Sequence, residues 1–227
     1  IANFAKYRFT GPGAEAFLSR LMTNKMPKTG RIILTPMLNP AGKLIGDFTV
    51  TCLSETEFQL TASYGAQGWH TRWFDQNAMD GVSVENVSDA RSGFQIAGPK
   101  ARELLSRVTR SDVSAEAFKF MDVRKMTVGM ANCLVQRVSY TADLGYEIFT
   151  DHMSVRQVWD TLNAAGADLG LRAFGMRANA YLMALASGVL PEILPKEKLK
   201  HGNAVIGLMT NIGFIAGTLL GGVVVTL

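Results

Sequence analysis

The chain has 227 residues, of which 48% are hydrophobic and 19% charged, with a formal net charge of +4. This composition is typical of a globular protein with one large domain or two small ones. The basic residues are scattered, which argues against nucleic acid and suits an anionic small molecule. Because the chain begins at Ile1 without a Met, we expect a processed protein or a part of a longer one.

Two cysteines, Cys52 and Cys133, lie in apolar strand-like runs. This setting predicts buried free thiols in a reducing compartment rather than a disulfide framework. The three histidines, His70, His152 and His201, stand alone in polar or amphipathic surroundings. None of these residues has the spacing of a metal site or a catalytic triad, so we predict no metal.

The chain contains an internal repeat. The segment 11–18, Gly-Pro-Gly-Ala-Glu-Ala-Phe-Leu, reappears as Gly-Pro-Lys-Ala-Arg-Glu-Leu-Leu at 98–105. Each copy follows a predicted short strand, at 6–9 and 93–96, and has a proline at a helix start, where its missing N–H is tolerated. Glycine-proline helix starts can recur by chance, but the order of the elements around them is also repeated.

After each predicted helix, the pattern indicates strands and then a closing helix. In the first half we predict strands at 31–38, 44–53 and 58–62 and a helix at 66–77. In the second half we predict strands at 121–128, 133–140 and 146–150 and a helix at 155–165. A strand–helix–strands–helix unit used twice predicts an α+β fold of two related, mostly antiparallel halves, with a ligand site at their junction.

Two carboxylates stand out in the predicted strands. Asp47 follows Gly46, where the missing side chain leaves room for a ligand or another backbone. Asp47 is either a turn acid at a strand end or a carboxylate that faces a central cavity. Glu147, between Tyr146 and Ile148, either faces solvent in ordinary alternation or is held near the core by a partner or ligand.

Arg177 begins a predicted helix whose remaining face is apolar. A cation in the first turn of a helix opposes the helix dipole, which suggests a specific anionic partner. The alternative is a solvated arginine near a loop.

Taken together, these segments resemble the folate-binding aminomethyltransferase family. Its members include the glycine-cleavage aminomethyltransferase and the C-terminal halves of dimethylglycine and sarcosine dehydrogenases, and the latter branch is the most similar. The resemblance covers about residues 1–182. Its motifs lie at 30–32, 35–39, 42–50, 96–99, 139–148 and 175–177.

The resemblance implies tetrahydrofolate in a central cavity between the halves and methylene transfer from a methylated amine such as dimethylglycine or sarcosine. It implies that Asp47 is catalytic and that Glu147, Arg177, Tyr140 and Tyr146 bind the folate. FAD would belong only to a separate oxidase domain or subunit. The expected location is the cytoplasm, or the mitochondrial matrix in a eukaryote, without a nucleic-acid or membrane partner.

Two segments depart from the family pattern. The family's Tyr-Thr-Gly-Glu is Tyr-Thr-Ala-Asp at 140–143, and Leu-Met-Ala at 182–184 replaces an Arg-x-Glu. Two alternatives therefore stay open. One is a folate-dependent demethylase that acts on another methyl donor, and the other is a non-catalytic binding or regulatory member.

We expect the two halves at 1–90 and 91–190, followed by a C-terminal segment at 191–227. Residues 204–227 carry no charge. We interpret them as a truncated or atypical β segment, a remnant of the family's C-terminal barrel. By length alone, a membrane segment is the alternative.

Overall fold

A computed structural model describes residues 4–139 and 143–175. The first half has four main strands and two helices: β1 Phe4–Thr10, α1 Ala14–Leu21, β2 Ile32–Leu38, β3 Leu44–Ser54, β4 Glu57–Ser63 and α2 Gln67–Gln76. A short strand, β5 Ser83–Asn86, follows. The second half comprises β6 Arg91–Ala97, α3 Ala101–Val108, β7 Val123–Val128, β8 Ala131–Gln136, β9 Gly145–Asp151 and α4 Val155–Gly166.

The strands form two antiparallel sheets with the same internal order. The first sheet runs β2-β3-β4-β1-β5, and the second, taken from the other edge, runs β7-β8-β9-β6. In each half, the strand before the first helix therefore pairs with the last strand of the unit. The predicted α+β fold of two related antiparallel halves is confirmed.

The glycine that opens each repeated segment has a conformational role. Gly11 and Gly98 have φ angles of 124° and 118°, and their carbonyls accept hydrogen bonds from Ala14 and Ala101 at 3.1 and 3.0 Å. A Cβ on Gly11 would also lie 2.0 Å from the Gly81 carbonyl oxygen. The helices begin at the two alanines, so the prolines lie just before the first turn. The sequence had predicted each proline within the first turn, at the helix start.

Two strands differ from the prediction by more than two residues at an end. β8 ends at Gln136 rather than at 140, because the chain turns there and Arg137 is drawn inward, where its Nη1 donates to the Phe118 carbonyl at 2.6 Å. β5 was not predicted, since all four of its residues are exposed and show no apolar alternation. It forms because β1 offers it a free edge.

Each half has its own apolar core, and a smaller cluster joins them. This inter-half cluster consists of Ile32, Val123, Leu134, Val138 and Phe149. Beside it, the start of β2 meets the start of β7: the Ile32 N–H donates to Met121 at 2.9 Å and the Val123 N–H to Gly30 at 3.0 Å. The two sheets thus meet at their edges, and the inter-half cluster fills the space between their facing sides.

Several predictions fall outside the described residues, namely those on Tyr140, Arg177, 182–184 and 204–227. Within the described part, both cysteines are buried and free. No helix of 4–139 and 143–175 is long and apolar enough to cross a membrane. The same ranges contain no cluster of three or more His, Cys, Asp and Glu side chains arranged to hold a metal ion.

Candidate functional site

Strand β9 presents two different faces. Tyr146 and Ile148 belong to the core of the second half, whereas Phe149 belongs to the inter-half cluster. Side chains alternate along a strand, so Glu147 shares the face of Phe149 and points toward the first half. Only 5% of Glu147 is exposed. The residue is therefore a buried acid at the junction, and the solvent-facing interpretation is wrong.

Glu147 has glutamine neighbours on both sides. It lies opposite Gln95 of β6 and Gln136 of β8 in the strand registers. Gln95 Nε2 donates to Glu147 Oε1 at 3.5 Å, while Oε2 is buried without a hydrogen-bond partner among the described residues. Burial raises the pKa of Glu147 to about 8, because an apolar environment disfavours the charged carboxylate.

Polar side chains of the first half continue this row. Gln136 Nε2 donates to Thr51 Oγ1 of β3 at 2.7 Å, and Thr51 lies opposite Gln59 of β4. Gln59 Oε1 in turn accepts from Arg91 Nη1 at 3.2 Å. We call this row the polar seam, and it consists of Thr51, Gln59, Arg91, Gln95, Gln136 and Glu147.

The polar seam leaves hydrogen-bonding capacity unused. Gln59 Nε2, Gln136 Oε1 and Glu147 Oε2 are buried and have no partner among the described residues. Each such atom costs roughly 1–3 kcal/mol, so proteins keep them where a ligand or water completes the bonding. A buried carboxylate oxygen beside a second acceptor fits a ligand that presents neighbouring N–H donors.

Asp47 lies on the same face of β3 as Thr51. Exposure falls from Asp47, which is exposed, through Thr49 to the buried Thr51. Thr51 lies four positions after Asp47 along the strand, a distance of about 13 Å. Asp47 therefore lies on the solvent-facing stretch of the strand that leads into the polar seam.

The space at Gly46 is used by His70. A Cβ on Gly46 would lie 2.5 Å from His70 Nε2, so the glycine admits this ring rather than a ligand or backbone. His70 is 1% exposed and lies against Phe48 and Phe74. His70 thus lies on the buried face of the amphipathic helix α2, and of the predicted polar or amphipathic setting only the polar one is wrong.

His70 also completes the hydrogen bonding of a β-bulge. Leu38 pairs with Leu44 and Met37 with Gly46, so Ile45 is the extra residue of β3. The Tyr7 hydroxyl lies 3.1 Å from His70 Nδ1, and the Ile45 backbone accepts a hydrogen bond from the ring. Burial lowers the pKa of His70, which keeps the ring neutral.

Tyr146 lies on the opposite face of β9 from Glu147. Its side chain is fully buried and stacks on Phe118, with ring centroids 5.7 Å apart. The ring of Tyr146 belongs to the core of the second half, while its hydroxyl is buried without a hydrogen-bond partner among the described residues. A folate contact for Tyr146 stays a prediction. Tyr140 and Arg177 stay predictions.

Sequence reasoning missed most of the polar seam. Gln59 and Gln136 are single polar residues in apolar strands, a pattern that does not by itself predict a site. The signal was present in 57–61, where Gln59 stands between Phe58 and Leu60 in strict alternation. What was absent is the pairing of the two sheets, since only the fold brings Thr51 against Gln136.

Comparison with known proteins gives one family. The model of the GCVT N-terminal domain matches residues 1–184. Human mitochondrial dimethylglycine dehydrogenase is 30% identical over 181 residues, which are 78% of this chain and 21% of that protein. An aminomethyltransferase of Desulforamulus reducens is 30% identical over 180 residues, 78% of this chain and 49% of that protein. The chain thus spans half or less of these relatives.

Solved structures show the same fold. The glycine cleavage system aminomethyltransferase T of Bartonella henselae has a TM-score of 0.63 at 22% identity, over 72% of this chain and 44% of that one. The heterotetrameric sarcosine oxidase of Corynebacterium sp. U-96, in complex with pyrrole 2-carboxylate, has a TM-score of 0.60 at 17% identity, over 77% and 85%.

Proposed function

Since the chain belongs to the family of the GCVT N-terminal domain, we propose that it binds tetrahydrofolate at the polar seam and takes part in folate-dependent one-carbon transfer. The observation that carries this proposal is the buried Glu147, whose Oε2 has no partner among the described residues. The aminomethyltransferases among its relatives support the same class of reaction.

The polar seam suits the amino-pyrimidine edge of a reduced folate. That edge presents adjacent N–H donors, which one carboxylate accepts in a bidentate manner. Glu147 must be ionised to accept both bonds, although its pKa of about 8 favours the protonated form near neutrality. Binding at pH 7 is therefore expected to displace a proton, because the donors of the ligand stabilise the carboxylate.

Asp47 is the proposed catalytic residue. Its carboxylate is exposed on the part of β3 that leads into the seam, where it can orient a reacting amine and stabilise developing positive charge. Bound tetrahydrofolate would supply the nitrogen that accepts the one-carbon unit. Tyr140 and Arg177 are proposed as further folate contacts on the basis of the family resemblance alone.

For the donor, we propose a methylated amine such as dimethylglycine or sarcosine. The similarity to dimethylglycine dehydrogenase and the structural likeness to a sarcosine oxidase support this choice. An FAD-containing oxidase domain or subunit would then release the methylene group. The proposed location of this protein is the cytoplasm or, in a eukaryote, the mitochondrial matrix.

A non-catalytic folate-binding role is the second candidate. It is favoured by the departures at 140–143 and 182–184 from the family pattern. A binding protein would titrate with tetrahydrofolate as an enzyme does but would give no transfer with any methyl donor. Comparison of methylated amines with other methyl donors also separates the proposed transferase from a demethylase of different specificity.

The test is a calorimetric titration with tetrahydrofolate together with an assay of one-carbon transfer. Glu147→Gln keeps the shape of the side chain but turns one acceptor into a donor, and we expect at least a tenfold loss of affinity. Asp47→Ala is expected to lower turnover more than affinity. Asp75→Asn, an exposed carboxylate of α2, is the matched control. Unchanged titrations and turnover in both site variants would refute the proposal.

A further inference from the structure

Gln59 is the counterpart of Glu147 in the internal repeat. Gln59 is the third residue of β4 and Glu147 the third residue of β9, which are equivalent strands of the two halves. Each pairs on one side with the fifth residue of the strand that opens its half, Arg8 or Gln95. The repeat thus sets a carboxamide from one half and a carboxylate from the other along the same polar seam.

Arg91 fixes the orientation of the Gln59 amide. A guanidinium carries only donors, so the oxygen of the amide must face it, as the 3.2 Å contact from Nη1 to Oε1 shows. The NH₂ group of Gln59 then points away from Arg91. Gln59 is only 2% exposed, and its Nε2 has no hydrogen-bond partner among the described residues.

The donors and acceptors of the polar seam are complementary to a ligand of mixed character. Gln136 Oε1 and Glu147 Oε2 are acceptors without partners in the described part of the chain, and Gln59 Nε2 is a donor without one. A molecule that satisfies all three atoms must present N–H groups to the first two and a carbonyl oxygen or ring nitrogen to the third.

We propose that Gln59 is a second ring-binding residue, which donates from Nε2 to an acceptor on the pterin ring whose N–H edge faces Glu147. The proposal rests on the proposed function, since it takes a reduced pterin as the ligand. Arg91 acts through Gln59 as a positioning residue, because it holds the amide in the orientation that presents the donor.

The test separates the donor from the packing of the side chain. Gln59→Glu keeps an acceptor for Arg91 and nearly the same shape, but it deletes the NH₂ group. Gln59→Met deletes both the acceptor for Arg91 and the NH₂ group, and it replaces Gln59→Glu in the test if that variant does not fold. Gln76→Glu, at the exposed end of α2, makes the same chemical change outside the seam. Affinities of these variants and of the wild type are measured by calorimetry for tetrahydrofolate and for 6-methyltetrahydropterin, which lacks the benzoylglutamate tail.

We expect Gln59→Glu to unfold at the wild-type midpoint or above. Its affinity for both ligands should fall about tenfold, by the same factor for each, because the lost hydrogen bond is to the ring that both ligands share. Gln76→Glu should bind both as the wild type does. Wild-type affinity in Gln59→Glu, or a loss confined to tetrahydrofolate, would overturn the proposal. If Glu147→Gln weakens binding while Gln59→Glu does not, the proposed function stands and only this inference fails. If the wild type binds neither ligand, both fail.

Discussion

Glu147 carries an ionisable group where burial opposes its ionisation. Its pKa of about 8 lies above the ordinary value of 4.5, and desolvation is the cause. The seam around it offers a weak contact from Gln95 at 3.5 Å and no cation within hydrogen-bond distance among the described residues. Such an acid is poised to change its charge when a ligand brings donors to it.

This raised pKa predicts a specific dependence of stability on pH. Below pH 4.5 the carboxyl is protonated in both states, whereas between 4.5 and about 8 only the folded state keeps the proton. Stability is therefore lost as pH rises through this window, by at most about 1.4 kcal/mol for each pH unit. Glu147→Gln should lack this loss.

The measurement is urea unfolding of the wild type and Glu147→Gln at pH 5 and pH 8. His70 has a lowered pKa, so the part of the folding stability that depends on its neutral ring is lost as pH falls below 6.5. This loss is the same in both proteins and cancels in the comparison. The difference in unfolding free energy between the two proteins should grow toward pH 8 in favour of the variant. A difference independent of pH would show that Glu147 is not buried as described.

At the scale of elements, the bulge of β3 connects the core to the proposed catalytic acid. Ile45 is the unpaired residue of the bulge, and His70 satisfies its backbone. Asp47 comes two residues later. The ring of His70, held by Tyr7, thus fixes the backbone from which Asp47 projects.

Gly46→Ala should disrupt this arrangement. The new Cβ would lie 2.5 Å from His70 Nε2 and 3.0 Å from Phe48 Cε2, so the buried ring must move and lose its bond to Ile45. We expect a loss of about 1–3 kcal/mol in unfolding free energy and lower turnover. Gly68→Ala in α2, where the new Cβ meets nothing within 4 Å, is the control and should be neutral or stabilising.

A second variant tests whether the effect passes through the ring. Adding His70→Ala to Gly46→Ala removes the clash, so the two substitutions should cost less together than the sum of their separate costs. Strict additivity would indicate that Gly46 serves the strand for another reason.

The sequence predicted the elements of this fold better than the site. Apolar alternation and the repeated Gly-Pro segment were sufficient for every strand of the two sheets except β5, because these signals are local. Asp47 and Glu147 stood out from the pattern of the predicted strands, and the family resemblance supplied their roles without their surroundings. The contact between Gln59 and Arg91 could not be predicted, since it joins β4 to β6 across the junction of the halves. His70 looked polar in sequence because the aromatic rings around it come from β1, β3 and α2.

At the scale of the molecule, the two halves are held together by a small apolar cluster, by the polar seam and by the backbone hydrogen bonds where the start of β2 meets the start of β7. Phe149 is 1% exposed in the inter-half cluster, and Phe118 is fully buried within the core of the second half. A cavity at either position should cost about 3–5 kcal/mol. Only the cavity at Phe149 removes contacts between the two halves.

Phe149→Ala should therefore separate the unfolding of the two halves. Trp69 and Trp73 lie in α2 of the first half and Trp159 in α4 of the second, so fluorescence reports on each half when the other half's tryptophans are replaced by Phe. We expect two denaturant midpoints in Phe149→Ala and coincident midpoints in Phe118→Ala. Coincident midpoints in both would mean that the halves are coupled mainly through other contacts.

The shared strand order also has a consequence for how the chain folds. In each half, the first strand pairs with the last strand of the repeated strand–helix–strands unit. Phe4 therefore cannot pair until Ser63 is synthesised, and Arg91 cannot pair until Asp151 is synthesised. Such distant pairings slow folding, because the intervening loop must close before any contact compensates for its lost entropy. During synthesis β1 therefore keeps both edges open until β4 is made, and one edge open until β5 is made. These edges are where the nascent chain is most able to mispair.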